Sequence, residues 1–268
     1  MKYIKFIINL LFLPLVKIKP LFSYLLNNPF KKELESRLEK GELFPMHHIH
    51  RSIRLAKKLP AQDFIILDIG GGIGASLRLY LKYFPSNRII LFEPVAESFK
   101  TIESRFGESK NVTLCNLAVG NENSKQEINI ANRVTSSSIL PLSAETESVF
   151  YDEKTLGLIR NETIEIVRLD DFLASEKAPI GIMKLDVQGF EMNVLRGAEI
   201  TLKRTSIVLL EAGNHDVYVG SPKYFEIDEY LRAHDFTLYD LIPSVLDNGQ
   251  LKEWDVIYIS NSSLCRLQ

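Results

Sequence analysis

The stretch from Phe64 to Gly74, Phe64-Ile-Ile-Leu-Asp68-Ile-Gly70-Gly71-Gly72-Ile73-Gly74, constrains this chain more than any other. A short apolar run bounded by glycine reads as a buried strand. Gly70, Gly71 and Gly72 permit a sharp turn and let a ligand approach the backbone, because no Cβ stands in the way. Helical spacing resumes at Gly74-Ala-Ser-Leu-Arg-Leu-Tyr-Leu, so the amides of a helix N-terminus face the same spot. The product is a strand–loop–helix pocket for a nucleotide or nucleoside.

Two cofactors fit that pocket. Gly70-x-Gly72-x-x-Ala75 satisfies the dinucleotide fingerprint, in which a helix N-terminus receives a pyrophosphate. Asp68-x-Gly70-x-Gly72-x-Gly74 equally satisfies the first motif of S-adenosylmethionine-dependent methyltransferases. Asp68 separates them. An acid at the strand end repels a pyrophosphate but suits the cationic methionine part of S-adenosylmethionine.

The second strand, Arg88-Ile-Ile-Leu-Phe-Glu93, precedes Pro94 and a helix from about Ala96 to Phe106. Glu93 falls where an acid holds a ribose diol, at the end of the strand after the glycine loop. A third strand, Val112–Leu117, runs into Ala118-Val-Gly120. Residues 121–168 then break the α/β rhythm. Gln126–Ile130 and Glu162–Val167 alternate apolar and polar, as an antiparallel pair with one wet face does. The intervening polar stretch, with Thr135-Ser136-Ser137-Ser138, makes this insertion a candidate lid or substrate wall.

The fourth strand, Ile180–Asp186, carries Lys184 and Asp186 on one face at period two, at the strand end where α/β sheets meet ligands. Val187–Glu191 turns into a helix through Leu195, and a fifth strand, Thr205–Glu211, leads to His215. Tyr224–His234 reads as a helix. Strands around Phe236–Leu241 and Asp255–Ser260 follow, with Asn248-Gly249 turning between them.

Before Glu33 the only charges are Lys2, Lys5, Lys17, Lys19, Lys31 and Lys32, set around an apolar run too short to span a membrane. No small-x-small cleavage site follows, so residues 1–32 do not read as a signal peptide. They suit either a basic amphipathic segment on a membrane surface or an arm packed on the catalytic domain or a second subunit. The chain is therefore expected to be cytoplasmic, with membrane-surface association or a homo-oligomer left open. Residues 1–58 form the arm and a helical segment, and 59–268 the catalytic domain with its insertion at 121–168. His47, His48 and His50 read as surface or capping histidines. A net charge of −2 gives no reason to expect nucleic acid. Cys115 and Cys265 suggest neither zinc nor a disulfide framework.

Five stretches together resemble the FkbM-type methyltransferases: Leu67–Gly74, Phe92-Glu-Pro94, Leu117-Ala-Val-Gly120, Arg168-Leu-Asp-Asp-Phe172 and Met183-Lys-Leu-Asp-Val-Gln-Gly-Phe-Glu191. Each is weak alone; their order and spacing are specific. The resemblance implies a Rossmann-like class I fold, a seven-stranded mostly parallel sheet whose last strand is antiparallel. It implies methyl transfer from S-adenosylmethionine to a hydroxyl of a sugar, glycan or polyketide-like small molecule. Asp68, Gly70 and Gly72 carry over as the methionine end of the cofactor site, Glu93 as the ribose partner, and Ala118 as a further cofactor contact. Asp186 carries over as the acid at the active-site mouth. Many relatives have Asn where Gly71 stands, a departure expected to loosen the loop.

Methyl transfer to a hydroxyl requires an aligned oxygen and a base to take its proton. His215, following the fifth strand, is one candidate because imidazole titrates near physiological pH. Asp186 is the other; it could equally orient the acceptor or join Glu211 on a divalent cation, though the spacing does not demand a metal. Two other classes remain. An NAD-dependent dehydrogenase would explain the loop and Glu93, but not Asp68 or the Lys184–Glu191 stretch. A non-catalytic S-adenosylmethionine-binding protein would need no base.

Overall fold

The computed structural model describes residues 47–60, 63–143, 157–214, 217–247 and 250–267. The chain divides into Met1–Pro45 and a compact unit from Met46 to Gln268. The expectations for residues 1–32, for His215 and for the Asn248-Gly249 turn lie outside the described residues. No helix among the described residues is long and apolar enough to cross a membrane.

In chain order, α1 (His47–Ala56) precedes β1 (Ile65–Ile69), α2 (Ala75–Tyr83), β2 (Ile89–Phe92), α3 (Ala96–Phe106) and β3 (Val112–Cys115). Next come β4 (Ala118–Gly120), β5 (Ser124–Ala131), a 3-10 turn at Val134–Ser136, β6 (Leu158–Arg168) and α4 (Leu169–Phe172). Then follow β7 (Ile180–Leu185), α5 (Glu191–Arg196), α6 (Glu199–Leu202) and β8 (Thr205–Gly213). Last are α7 (Tyr224–Ala233), β9 (Phe236–Asp247), β10 (Gln250–Ser260) and α8 (Asn261–Leu267).

Seven strands form one sheet in the order β3-β2-β1-β7-β8-β10-β9. All pairs are parallel except those of β10, which runs antiparallel to both β8 and β9. This is the expected Rossmann-like sheet with an antiparallel last strand. The strand order reverses between β1 and β7, and ligands of open α/β sheets bind at such a crevice.

Alternation along β1 assigns the two faces of the sheet. Ile65, Leu67 and Ile69 enter one core with Met183, Leu185, Val208 and Leu210, while Phe64 and Ile66 enter the other with Ile182, Ile207 and Leu209. Burying each such side chain contributes about 1.5–3 kcal/mol. Helices α1 and α2 cover the second face through Ile49, Ile53, Leu77 and Tyr80. The period of two puts Asp68, Lys184, Glu211 and Asp255 on that second face, on four adjacent strands.

The insertion and the preceding β4 form a second sheet, β4-β6-β5. Strands β5 and β6 pair antiparallel, as their alternation predicts, around Ile128, Ile130, Ile164 and Ile166. The expected third strand is split. Asn116 turns the chain by donating to the carbonyls of Glu93 at 2.8 Å and Pro94 at 2.9 Å, and Ala118–Gly120 then pairs with β6 instead. Strands β9 and β10 run longer than the pattern suggests. Register shifts at Leu251, Glu253 and Ile257 interrupt the period of two, and Pro243 is tolerated because β9 is an edge strand.

Candidate active site

The glycine loop sits over the carboxyl ends of β1, β2 and β7, and the Gly70, Gly71 and Gly72 amides bond to the end of β2 and the residue after it. Gly70 and Gly71 both donate to the Phe92 carbonyl at 3.0 Å, and Gly74 donates to Gly71 at 2.9 Å. Gly70 and Gly72 adopt φ of 79° and 55°, a region that L side chains rarely enter. Gly71 is there for space rather than looseness: a Cβ would come within 2.6 Å of the Leu91 side chain.

Glu93 is buried at the end of β2, where the sequence places it, and accepts from the Gly72 amide at 2.8 Å and the Val95 amide at 2.9 Å. Burial raises its pKa to about 7, against the pull of those amides and of Lys184. Each carboxylate oxygen has two acceptor sites, so both retain capacity for a further donor. Ala118 is buried beside Val95 and Ile166 in the core of the insertion.

Asp68 lies beneath the loop, not at its rim. It is completely buried, accepts from Ser76 Oγ at 2.5 Å and lies 3.2 Å from Lys184 Nζ. Lys184 joins three groups: it also donates to the Gly70 carbonyl at 2.9 Å and reaches Asp186 Oδ2 at 3.4 Å. Burial opposes its charge, but Asp68 and Asp186 more than compensate and hold it protonated. A buried ammonium between two carboxylates is thus what fixes the loop to β7.

Asp186 follows β7 by donating its own amide to the Ile69 carbonyl at 3.0 Å. Its side chain is 43% exposed, against 6% for Lys184. Partial burial works against ionisation, but the charge of Lys184, a bond from Gln188 and the charge of His48 hold its pKa below the ordinary carboxylate range. Glu191 accepts weakly from the Val187 and Gly189 amides at 3.3 Å and shapes the loop after Asp186. Burial raises its pKa to about 7. Burial and the charges of Glu253, Asp186, Asp255 and Glu191 push Glu211 well above the usual carboxylate range. Together these carboxylates form an acidic wall beside the glycine loop. Among the described residues there is no group of three or more His, Cys, Asp or Glu placed to hold a metal ion.

One feature escapes sequence reasoning. His48 is no surface histidine: it is half-buried, with Nδ1 2.8 Å from Asp255 Oδ2 on β10. Helix α1 carries no motif, and its partner lies near the far end of the chain. The insertion, read from the sequence as a candidate lid or substrate wall, reaches the glycine loop and the segment after Asp186. Thr135 would lie 3.4 Å from a Cβ on Gly72, and Ser138 Oγ donates to the Gln188 carbonyl at 2.6 Å. The serine-rich stretch from the insertion is the only sequence signal for it.

The methyltransferase FkbM domain matches residues 68–238. The chain is 26% identical over 200 residues to the 2-O-methyltransferase NoeI of Sinorhizobium fredii, covering 73% of this chain and 77% of that protein. It is 29% identical over 170 residues to Methyltransferase 1 of Beauveria bassiana, covering 56% of this chain and 66% of that protein. Among solved structures, the plantazolicin methyltransferase BamL overlaps 87% of this chain and 92% of its own at 11% identity, with a TM-score of 0.47. The matched domain spans more than half of the sequence and runs from the acid before the glycine loop to the start of β9. The chain belongs to the FkbM methyltransferase family.

Proposed function

We propose that this protein transfers a methyl group from S-adenosylmethionine to a hydroxyl of a sugar, glycan or natural-product acceptor. Family membership supports methyl transfer, and the name of the relative NoeI, a 2-O-methyltransferase, supports oxygen as the acceptor atom. The observation that carries the choice of cofactor is the engagement of the loop amides. Gly70, Gly71, Gly72 and Gly74 all donate to protein oxygens, and Gly72 donates to a carboxylate. A pyrophosphate would need such amides free, whereas a ribose diol and an ammonium do not.

The residues present fit that cofactor. Gly70 and Gly72 keep the loop clear of side chains, and Glu93 retains acceptor capacity for ribose hydroxyls. Asp68 acts through the Lys184 pair that sets the loop, with Ala118 contributing from β4. When bound, S-adenosylmethionine supplies an electrophilic sulfonium methyl. The chain's own task is to hold an acceptor oxygen in line and take its proton. Asp186, ionised and open to solvent on one side, is placed to accept that proton or orient the hydroxyl. His215, two residues after the end of β8, is the second candidate base. In this reading residues 59–268 are the catalytic domain, the insertion at 121–168 is the acceptor wall, and residues 1–32 carry any contact with a membrane surface in the cytoplasm.

Methyl-labelled S-adenosylmethionine offered with oligosaccharide and polyketide alcohols tests the proposal. Label recovered as a methyl ether supports it. Label recovered on nitrogen, carbon or sulfur overturns the hydroxyl assignment.

A further inference from the structure

We propose that Gln188 and Tyr218 are positioning residues, forming a relay that aims the Asp186 carboxylate and fastens the insertion beside it. The inference rests on the reading that Asp186 faces the methyl acceptor.

Gln188 Nε2 donates to Asp186 Oδ1 at 3.0 Å, and the Tyr218 hydroxyl lies 2.9 Å from Gln188 Oε1. The same hydroxyl lies 2.9 Å from the Ser136 carbonyl of the insertion. An ionised carboxylate can only accept, so the Gln188 amide must turn its nitrogen to Asp186 and its oxygen to Tyr218. Tyr218 must then donate, and its one proton is shared between Gln188 and Ser136. Burial, and behind it the charges of Glu211, Glu253, Glu191 and Asp186, raise the tyrosine pKa and keep that proton in place.

The backbone is shaped for this relay. Gln188 holds a φ of 53°, a left-handed conformation that is costly for a side chain with no local reason to adopt it. The next residue, Gly189, is where three segments converge. A Cβ there would come within 3.1 Å of Ser221, 3.3 Å of Leu140 and 3.3 Å of Tyr218. Pro141 and Val219 tie the insertion to the β8–α7 connection through a 2.8 Å backbone bond. The strained residue is thus the one whose side chain touches the acid, and whose neighbours touch the insertion.

The groups whose charge bears on Asp186 are Lys184 from β7, His48 from α1, Glu93 after β2, Glu191 from α5, Glu211 from β8 and Tyr218. Gln188 carries no charge, so removing it changes the hydrogen bond to Asp186 without changing net charge.

Two variants of the full chain test the relay, read with and without S-adenosylhomocysteine. Tyr218→Phe deletes one oxygen, and hydrogen exchange over residues 134–143 should quicken about fivefold, the effect of one net hydrogen bond. Gln188→Gly suits the left-handed backbone but removes the amide, so the Asp186 carboxyl, followed by carbon NMR on aspartate-labelled protein, should titrate at higher pH. A merely structural role would not move that titration. Unchanged exchange in the first variant, or an unchanged Asp186 titration in a folded Gln188→Gly protein, overturns the relay and leaves the methyl-transfer reading standing. Failure of that reading shows separately, as an unaltered chain that does not bind S-adenosylhomocysteine.

Discussion

Gly70 backs directly onto Asp186: a Cβ on Gly70 would fall 1.8 Å from the Asp186 carbonyl oxygen. The glycine loop and the proposed catalytic acid are therefore one packed unit, and a change in either displaces the other. Gly70→Ala should unfold the site or lower the melting temperature well beyond the strain of a left-handed alanine, about 1–2 kcal/mol. Gly220→Ala is the matched control, since Gly220 has φ of 81° with nothing within 4 Å of a Cβ. Thermal melts of the two should separate clearly; equal losses would mean that contact with Asp186 contributes nothing.

Lys184 should be the most stabilising charge in the site. Lys184→Met leaves the buried Asp68 without its cation and with Ser76 still donating to it, a defect of about 3–5 kcal/mol. Adding Asp68→Asn should restore part of the loss in urea unfolding. A double variant no more stable than the single would show that the two residues are not energetically paired.

If Glu93 holds the ribose as proposed, cofactor affinity should depend on pH. Its pKa of about 7 in the folded chain lies above the ordinary value of 4.5, so the neutral form is favoured by folding. That contribution to stability is full below the ordinary value and is lost as pH rises through about 7. Ribose hydroxyls prefer the ionised form, so S-adenosylhomocysteine should bind about tenfold more tightly at pH 8 than at pH 6. Glu93→Gln should remove the dependence of binding in calorimetry and only lessen that of melting, to which the buried Glu191 and Glu211 also contribute. A pH slope of binding that survives the substitution assigns it to another group.

Asp186 and His215 should affect turnover more than cofactor affinity. Loss of a general base typically costs about 10²–10⁴-fold in rate. Asp186→Asn keeps the shape and the Gln188 contact while removing charge, and His215→Ala removes the alternative base. If both variants bind S-adenosylhomocysteine and turn over normally, neither residue handles the acceptor proton.

Much of this site was legible in the sequence because it is built from strand ends. A strand terminus followed by glycine or proline fixes where its last side chain lies, and so Asp68, Glu93 and Asp186 could be placed on one edge of the sheet. Direction was harder. Asp68 turns under the loop because its parity along β1 matches Ile66 and not Leu67, which the apolar run Phe64–Leu67 conceals. His48–Asp255 and Tyr218–Ser136 join segments far apart in the chain, and no local period records such pairs. The break after Cys115 leaves no mark in the pattern, because Val112–Gly120 reads as one continuous stretch while its strands belong to two sheets.

The basic first segment should be dispensable for cofactor binding, since every loop and carboxylate of the site lies after Leu67. Sedimentation with anionic vesicles, comparing the full chain with one lacking residues 1–32, separates membrane contact from packing. Loss of vesicle binding on truncation supports the membrane surface; equal, negligible sedimentation of both rejects it.

Calorimetric titration of the purified chain with S-adenosylhomocysteine and, separately, with NAD tests the central claim most directly. Saturable binding of S-adenosylhomocysteine, weakened in Glu93→Ala by removal of charge-assisted bonds of about 1.5–3 kcal/mol, with no heat from NAD, is the predicted result. Binding of NAD in preference to S-adenosylhomocysteine, or of neither, would contradict it.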